Sequence, residues 1–155
     1  MNLIINDIYQ RHDCFLRKNV EKYTLLSLLG SSIGLVLDET EKAELKQGTI
    51  DLLNVCKQSI IDHIRFTDAQ TVYLIHHFDC PIAKEIQKKM SLQELHKDLL
   101  EKASKFLQAE FPNVNVICIY KNEENQYLQL KEREFENIRN SSPWITVALA
   151  GLLLL

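Results

Sequence analysis

The sequence predicts an α/β domain with three layers, α/β/α, in which a short, mainly parallel sheet of about four strands lies between helices. Short segments rich in β-branched residues alternate with longer ones whose apolar residues recur at three- and four-residue steps. Residues 71–75 are almost continuously apolar, as in strands that a parallel sheet buries on both faces. Such alternation implies right-handed crossovers between parallel strands. A chain of 155 residues is long enough to bury one core.

The N-terminal part predicts two strands separated by a helix. Residues 3–9 form the first apolar run, and Phe15, Leu16 and Val20 follow at helical spacing. Residues 23–29 fit a second buried strand. The turn-forming segment Gly30-Ser31-Ser32 closes that strand; it satisfies its own backbone or, alternatively, offers hydroxyls and amides to a small anion. Residues 38–48 are polar, which indicates a loop or a short helix.

Two amphipathic helices and two more strands follow. Thr49 is a suitable N-cap, with Asp51 in the first turn. The apolar face of this helix comprises Ile50, Leu53, Cys56, Ile60 and Ile64. Its successor begins with the capping box Ser91-Leu92-Gln93-Glu94 and ends before Pro112. The strand at 71–75 lies between the two helices, and the strand at 114–120 follows the second.

The remainder of the chain changes in composition. Residues 121–125 predict a solvated loop, and residues 131–139 are charged and predict an exposed helix. We therefore divide the chain into an α/β domain at 1–122, a charged segment at 123–142 and a hydrophobic tail at 143–155.

The hydrophobic tail is too short to favour a membrane span. As a helix, its last twelve residues would extend about 18 Å, against a bilayer core of roughly 30 Å, and no basic residue follows them. Membrane association is therefore disfavoured. We expect the tail to pack across a dimer interface or over a flank of the domain.

Charge and cysteine usage narrow the class of partner and the cellular location that we expect. The net charge of −3, without a block of Lys or Arg, excludes the electrostatic pattern of a nucleic-acid partner. The four cysteines, Cys14, Cys56, Cys80 and Cys118, form no Cys-x-x-Cys pair. The N-terminus lacks the basic region of a secretory signal. We therefore expect reduced thiols and a cytoplasmic location, with Cys56 and Cys118 in the core.

Potential metal ligands follow two of the predicted strands. Asp7 lies near the end of the first strand, and His77 and Cys80 lie three residues apart where the third gives way to a loop. In open α/β sheets ligands bind beyond the carboxyl ends of the strands. An imidazole and a thiolate suit zinc. The same pair also fits a polar strand end with a buried thiol, and a closed structural zinc site needs four ligands.

Other histidines have different expectations. His76 should face the opposite side of the strand from His77 and is expected to be packed rather than ligating. His12 and Cys14 become substitute ligands if their loop folds back. His63 and His96 are placed near the polar sides of their helices and are expected to be solvated.

Over residues 2–120 these motifs resemble the β-class carbonic anhydrases in their minimal form. That family has Cys-x-Asp-x-Arg after the first core strand and His-x-x-Cys, usually followed by Gly, after a later one. His77 and Cys80 match the second motif. In the first, Asp7 stands at the position of the Cys, Tyr9 at that of the Asp, and Arg11 is retained. Pro81 replaces the usual Gly.

The resemblance implies a zinc site made of Asp7, His77 and Cys80. It also implies that the protein forms a homodimer or a larger homo-oligomer. Carboxylates ligate zinc at about 2.0–2.2 Å, so Asp7 can replace a Cys. Hydration of carbon dioxide needs a zinc-bound water. In the family the Asp–Arg pair orients that water, and a neutral phenol at Tyr9 cannot be its anionic acceptor. Arg11 would then lie behind the ligands with Asp7 or Asp79 as its partner.

We therefore expect a carbonic-anhydrase-like protein that has lost hydration activity, is not an enzyme, and has a binding or regulatory role. An active zinc lyase using Asp7, His77 and Cys80 is the first alternative. The second is an assembly or membrane-associating module that acts through the tail.

Overall fold

The computed structural model describes residues 1–138, which form a mixed α/β fold around one six-stranded sheet. The hydrophobic tail and the end of the charged segment lie outside the described residues. The strands are β1 (Asn2–Asp7), β2 (Tyr23–Leu28), β3 (Thr71–His77), β4 (Asn115–Lys121), β5 (Tyr127–Lys131) and β6 (Glu134–Asn137). The α-helices are α1 (Asp13–Asn19), α2 (Glu39–Lys42), α3 (Gln47–Thr67), α4 (Pro81–Ile86) and α5 (Leu92–Glu110), and a 3₁₀ turn spans Ile33–Leu35.

The sheet is parallel in one part and antiparallel in the other. Its strand order is β2-β1-β3-β4-β5-β6. β1 pairs in parallel with β2 and β3, and β3 pairs in parallel with β4. β5 and β6 are antiparallel additions. The expectation of a short, mainly parallel sheet of about four strands thus holds for β1 to β4, but the sheet as a whole has six strands and is mixed.

The exposed helix expected over residues 131–139 is wrong. β5 and β6 form a hairpin there, with Leu130 opposite Phe135. The chain reverses at Glu132 and Arg133, whose φ values of 48° and 75° are left-handed. Two-residue hairpin turns with two left-handed residues match the twist of the strands, although they favour Asn and Gly. Part of the segment that composition marks as merely charged therefore extends the sheet.

The helices begin close to where their capping residues indicate. In α5, Ser91 Oγ accepts a hydrogen bond of 3.2 Å from the amide of Glu94, which confirms Ser91 as the N-cap. α3 begins at Gln47, three residues before the expected start at Ile50, and its N-cap is Lys46 instead of Thr49. α4 was not predicted; Pro81 occupies its first turn, where a missing amide hydrogen costs nothing.

Helices pack on both faces of the sheet. α3 and α5 cover one face, where Ile60, Ile64, Leu100 and Ala103 join the inward residues of the strands. α1 covers the other face through Phe15 and Leu16. A further cluster, which contains Cys80, fills the space between α3, α4 and α5. Cys56 and Cys118 are buried free thiols, as expected.

Within residues 1–138, no helix is both long and apolar enough to cross a membrane.

Two glycines provide a matched test of packing. A Cβ on Gly34, in the 3₁₀ turn, would lie 2.6 Å from the carbonyl oxygen of Leu53 in α3, whereas one on Gly48 would meet nothing within 4 Å. We expect Gly34→Ala to lower the free energy of unfolding by about 1–3 kcal/mol, because backbone must move. Gly48→Ala should raise it by up to about 1 kcal/mol, because it lies in a helix. Urea unfolding monitored by circular dichroism measures both, and equal midpoints would contradict this account of the turn.

Candidate metal centre

Asp7 is held in a buried position at the end of β1. Asp7 is only 1% exposed, and its Oδ1 accepts a 2.9 Å hydrogen bond from the amide of Tyr9. The amide of Gln10 bonds back to the Asp7 carbonyl at 3.1 Å, which turns the chain away from the sheet. The other carboxylate oxygen, Oδ2, is left to face His77.

His77 and Cys80 come from the end of β3 and the start of α4. His77 is the last residue of β3, and the amide of Phe78 bonds to the carbonyl of Lys121 on β4. Cys80 is the N-cap of α4, whose first turn is closed by the Lys84 amide on the Cys80 carbonyl at 3.1 Å. Both side chains are 1% exposed. Strand β3 and helix α4 thus direct both side chains toward Asp7.

These three residues form a group that can hold a metal ion. One nitrogen of His77, one oxygen of Asp7 and the sulfur of Cys80 all lie within 4.8 Å of one another. Asp7 Oδ2 and His77 Nε2 are 3.2 Å apart, without the alignment of a hydrogen bond. Asp7 Oδ2 and both ring nitrogens of His77 are buried without a hydrogen-bond partner. Buried polar atoms usually have partners, and a cation would supply one here.

The electrostatics of the group favour a carboxylate and a protonated thiol before any cation binds. Burial alone would raise the pKa of Asp7, but the contact with His77 and the Tyr9 amide outweigh it and hold that pKa below its ordinary value. Burial raises the pKa of the Cys80 thiol to about 12, and the charge of Asp7 adds to that effect. A bound metal ion would replace the thiol proton.

Arg11 and Tyr9 lie on the surface. Tyr9 is 66% exposed, and Arg11 is also exposed. Neither Asp7 nor Asp79 forms an ion pair with Arg11; Asp7 faces His77, and Asp79 pairs with Lys84. The expected replacement partner for Arg11 is therefore not found among residues 1–138.

His12 is buried near the group, whereas Cys14 is exposed. The pKa of His12 is lowered to about 4, chiefly by burial, and the electrostatic effects of Lys121 and His77 act in the same direction. The ring Nδ1 lies 2.8 Å from the hydroxyl of Tyr127 on β5. Neither His12 nor Cys14 belongs to the group of three as it stands.

A second set of buried polar side chains lies on the α5 face of the sheet. Ser32 Oγ is 2.7 Å from His76 Nε2, and His76 Nδ1 is 3.0 Å from His96 Nδ1. The three residues are at most 1% exposed. The packed position expected for His76 is confirmed, but the solvated position expected for His96 is wrong. His96 follows Leu92 by four residues and precedes Leu99 by three, so the helical period places it on the buried face.

Comparisons with protein families, curated proteins and solved structures found no match for this chain.

The burial of His96 generates a prediction about acid stability. Burial, with the charge of His77, lowers the pKa of His96 to about 3, so the folded protein resists a proton that the unfolded chain accepts near pH 6.5. Stability should therefore fall as pH drops from 7 to 5, with His96 contributing on the order of 2 kcal/mol. In His96→Gln that contribution should disappear.

The measurement is urea unfolding at several pH values with a chelator present, which removes any effect of bound metal. His63→Gln, on the half-buried side of α3, is the control substitution. If His96→Gln and the unmodified chain lose stability in parallel between pH 7 and 5, His96 is not the residue that resists protonation.

Proposed function

We propose that this protein is a carbonic-anhydrase-like metal-binding protein that holds one zinc ion at Asp7, His77 and Cys80 and does not hydrate carbon dioxide. Its role would be binding or regulatory. The observation that carries the proposal is the buried group itself, in which three ligand types converge within 4.8 Å and polar atoms lack partners. Buried polar atoms usually have a partner, and a bound metal ion would be the partner that these atoms lack.

The ligand types favour zinc over harder or larger cations. Thiolate sulfur and imidazole nitrogen are ligands of zinc, and carboxylates join them readily. With Asp7 and Cys80 each carrying one negative charge, a divalent ion makes the site neutral. Neutrality matters because both residues are almost completely buried, where an uncompensated charge is costly.

The surroundings of the group disfavour hydration of carbon dioxide. That reaction needs an open zinc position and groups that orient the bound water. At the positions of the family's Asp–Arg pair this chain has Tyr9 and Arg11, and both are on the surface. An active zinc lyase, the alternative, would have to orient its water with other residues.

The same three residues could in principle form a Cys–His–Asp relay for nucleophilic catalysis. Two observations argue against it. Cys80 is 1% exposed, and burial raises the pKa of its thiol to about 12. A cysteine nucleophile needs a lowered pKa and access to substrate. Metal binding uses the buried sulfur without either requirement, because the metal displaces the proton.

Zinc content tests the proposal directly. Protein purified without a metal-binding tag should contain equimolar zinc by elemental analysis. His77→Ala and Cys80→Ser should each lose most of it, because each removes one of three ligands. His63→Ala, remote in sequence from the group, should retain it.

Two results would go against the proposal. Zinc that is absent from the unmodified chain, or present equally in His77→Ala, would remove the metal site. Carbon dioxide hydration above the uncatalysed rate, lost in the same variants, would instead establish the active lyase.

A further inference from the structure

The imidazole of His12 has one nitrogen engaged and one free. His12 is 3% exposed, its Nδ1 lies 2.8 Å from the hydroxyl of Tyr127, and its Nε2 is buried without a hydrogen-bond partner. His12 is the N-cap residue of α1 and contributes no side-chain cap. Helix capping therefore does not explain why this histidine is buried with an unpartnered nitrogen.

The contact with Tyr127 resembles the way proteins hold a metal-binding histidine. Such a histidine usually donates its second ring N–H to an oxygen atom, which orients the ring and leaves the other nitrogen with its lone pair. If Nδ1–H donates to Tyr127 Oη, then Nε2 carries the lone pair. The ring stays neutral near pH 7, because its pKa is lowered to about 4 by burial and by neighbouring charge. A neutral, oriented and unpartnered imidazole nitrogen is a ready ligand.

His12 is also linked to the group of Asp7, His77 and Cys80 by the chain and by the sheet. It follows Asp7 by five residues, and the turn between them is tightened by the Tyr9 and Gln10 amides on Asp7. His77 and Asp7 both act electrostatically on the His12 ring, in opposite directions. His77 lies opposite Lys121 in the sheet, and Lys121 in turn lies opposite Tyr127, which holds His12.

We propose that His12 Nε2 is the fourth protein ligand of the metal held by Asp7, His77 and Cys80, which makes the loaded site closed. This inference rests on the proposed function. His12 lies outside the 4.8 Å group, so metal binding would draw the loop at residues 8–12 toward the ion. Ile8 and Tyr9 in that loop are 60% and 66% exposed, so little packing opposes their movement, whereas His12, only 3% exposed, would have to shift with its contact to Tyr127 retained.

A fourth protein ligand would account for the loss of hydration chemistry that the proposed function includes. Four protein ligands complete the tetrahedral coordination of zinc and are typical of structural sites, whereas catalytic zinc keeps one position for water. Because imidazole is neutral, His12 would add no charge to a site that Asp7, Cys80 and the ion already balance. The ion would then tie the start of α1 to β1, β3 and α4.

Cobalt(II) is a spectroscopic probe for zinc sites and separates this inference from the proposed function. Full-length protein, stripped by chelator, would be titrated with cobalt(II) alone. A thiolate-to-cobalt charge-transfer band, lost in Cys80→Ser, would show that the group binds metal. An intense visible ligand-field band would show tetrahedral coordination. In the unmodified chain neither azide nor imidazole should change that band, because the site is closed.

The His12 variants test the fourth ligand. In His12→Ala and His12→Gln we expect the charge-transfer band to remain and the ligand-field band to weaken. Metal affinity should fall on the order of 100-fold. This is the largest loss typical of residues that only support a ligand, and His12 would be a ligand itself. Added imidazole should restore the tetrahedral band in His12→Ala. Tyr127→Phe, which keeps the ligand but removes its support, should lose about 10-fold in affinity.

Each other result has a distinct meaning. A charge-transfer band with His12 variants that match the unmodified chain in spectrum and affinity overturns the fourth ligand and leaves the three-residue site intact. No charge-transfer band in the unmodified chain overturns both the site and this inference. His12→Gln guards against a folding defect, since its amide keeps a polar group in the buried position. Rescue of His12→Ala by imidazole is not expected from a residue that is only structural.

Discussion

The parallel pairing of β1 with β3 is the constraint on which the candidate site depends. Because Ile5 is opposite Leu74, both strands reach the same edge of the sheet at Asp7 and His77. Parallel strands require a crossover between them, and here the intervening chain contains α3, which covers one face. α4 then begins at once after β3 and adds Cys80 to the same edge. The site is therefore produced by topology, which brings Asp7 to residues 70 and 73 positions further along the chain.

Two sets of buried polar side chains differ in how many of their atoms have hydrogen-bond partners. Ser32, His76 and His96 bond to one another, which offsets part of the cost of removing them from water and leaves one atom, His96 Nε2, without a partner. At the edge of the sheet Asp7 and His77 touch, yet they retain atoms without partners. That network is nearly satisfied, whereas a ligand site can stay open until it is completed by what it binds. Asp7 and His77 together have three unpartnered atoms, and with Cys80 they form the candidate metal centre.

Much of the fold follows from sequence periodicity, and the failures have physical causes. β1 to β4, α3 and α5 combine strong apolar patterns with recognisable ends. The hairpin β5–β6 escaped because its turn uses Glu132 and Arg133 in left-handed conformations instead of Asn and Gly. α4 could not be predicted because it is only six residues long, too short for its apolar residues to show a helical repeat.

The candidate site divides in the same way. Asp7, His77 and Cys80 were identifiable because strand ends and ligand types are both local signals. His12 was named as a substitute ligand, but its buried position was not predictable, because it depends on Tyr127 from a hairpin that the sequence did not indicate. His96 could have been found from its spacing to Leu92 and Leu99, had helical geometry been weighed above the polarity of the side chain.

The contact between His12 and Tyr127 joins residues 115 positions apart. During synthesis, β1, α1 and the loop at residues 8–12 would leave the ribosome long before β5 exists. Until the hairpin docks, the imidazole has no hydroxyl to orient it. A chain cut short before residue 127 could still pair its four parallel strands, yet the start of α1 would lack its anchor. The hairpin at the end of the described chain thus stabilises the first loop, and it can do so only after most of the chain has been synthesised.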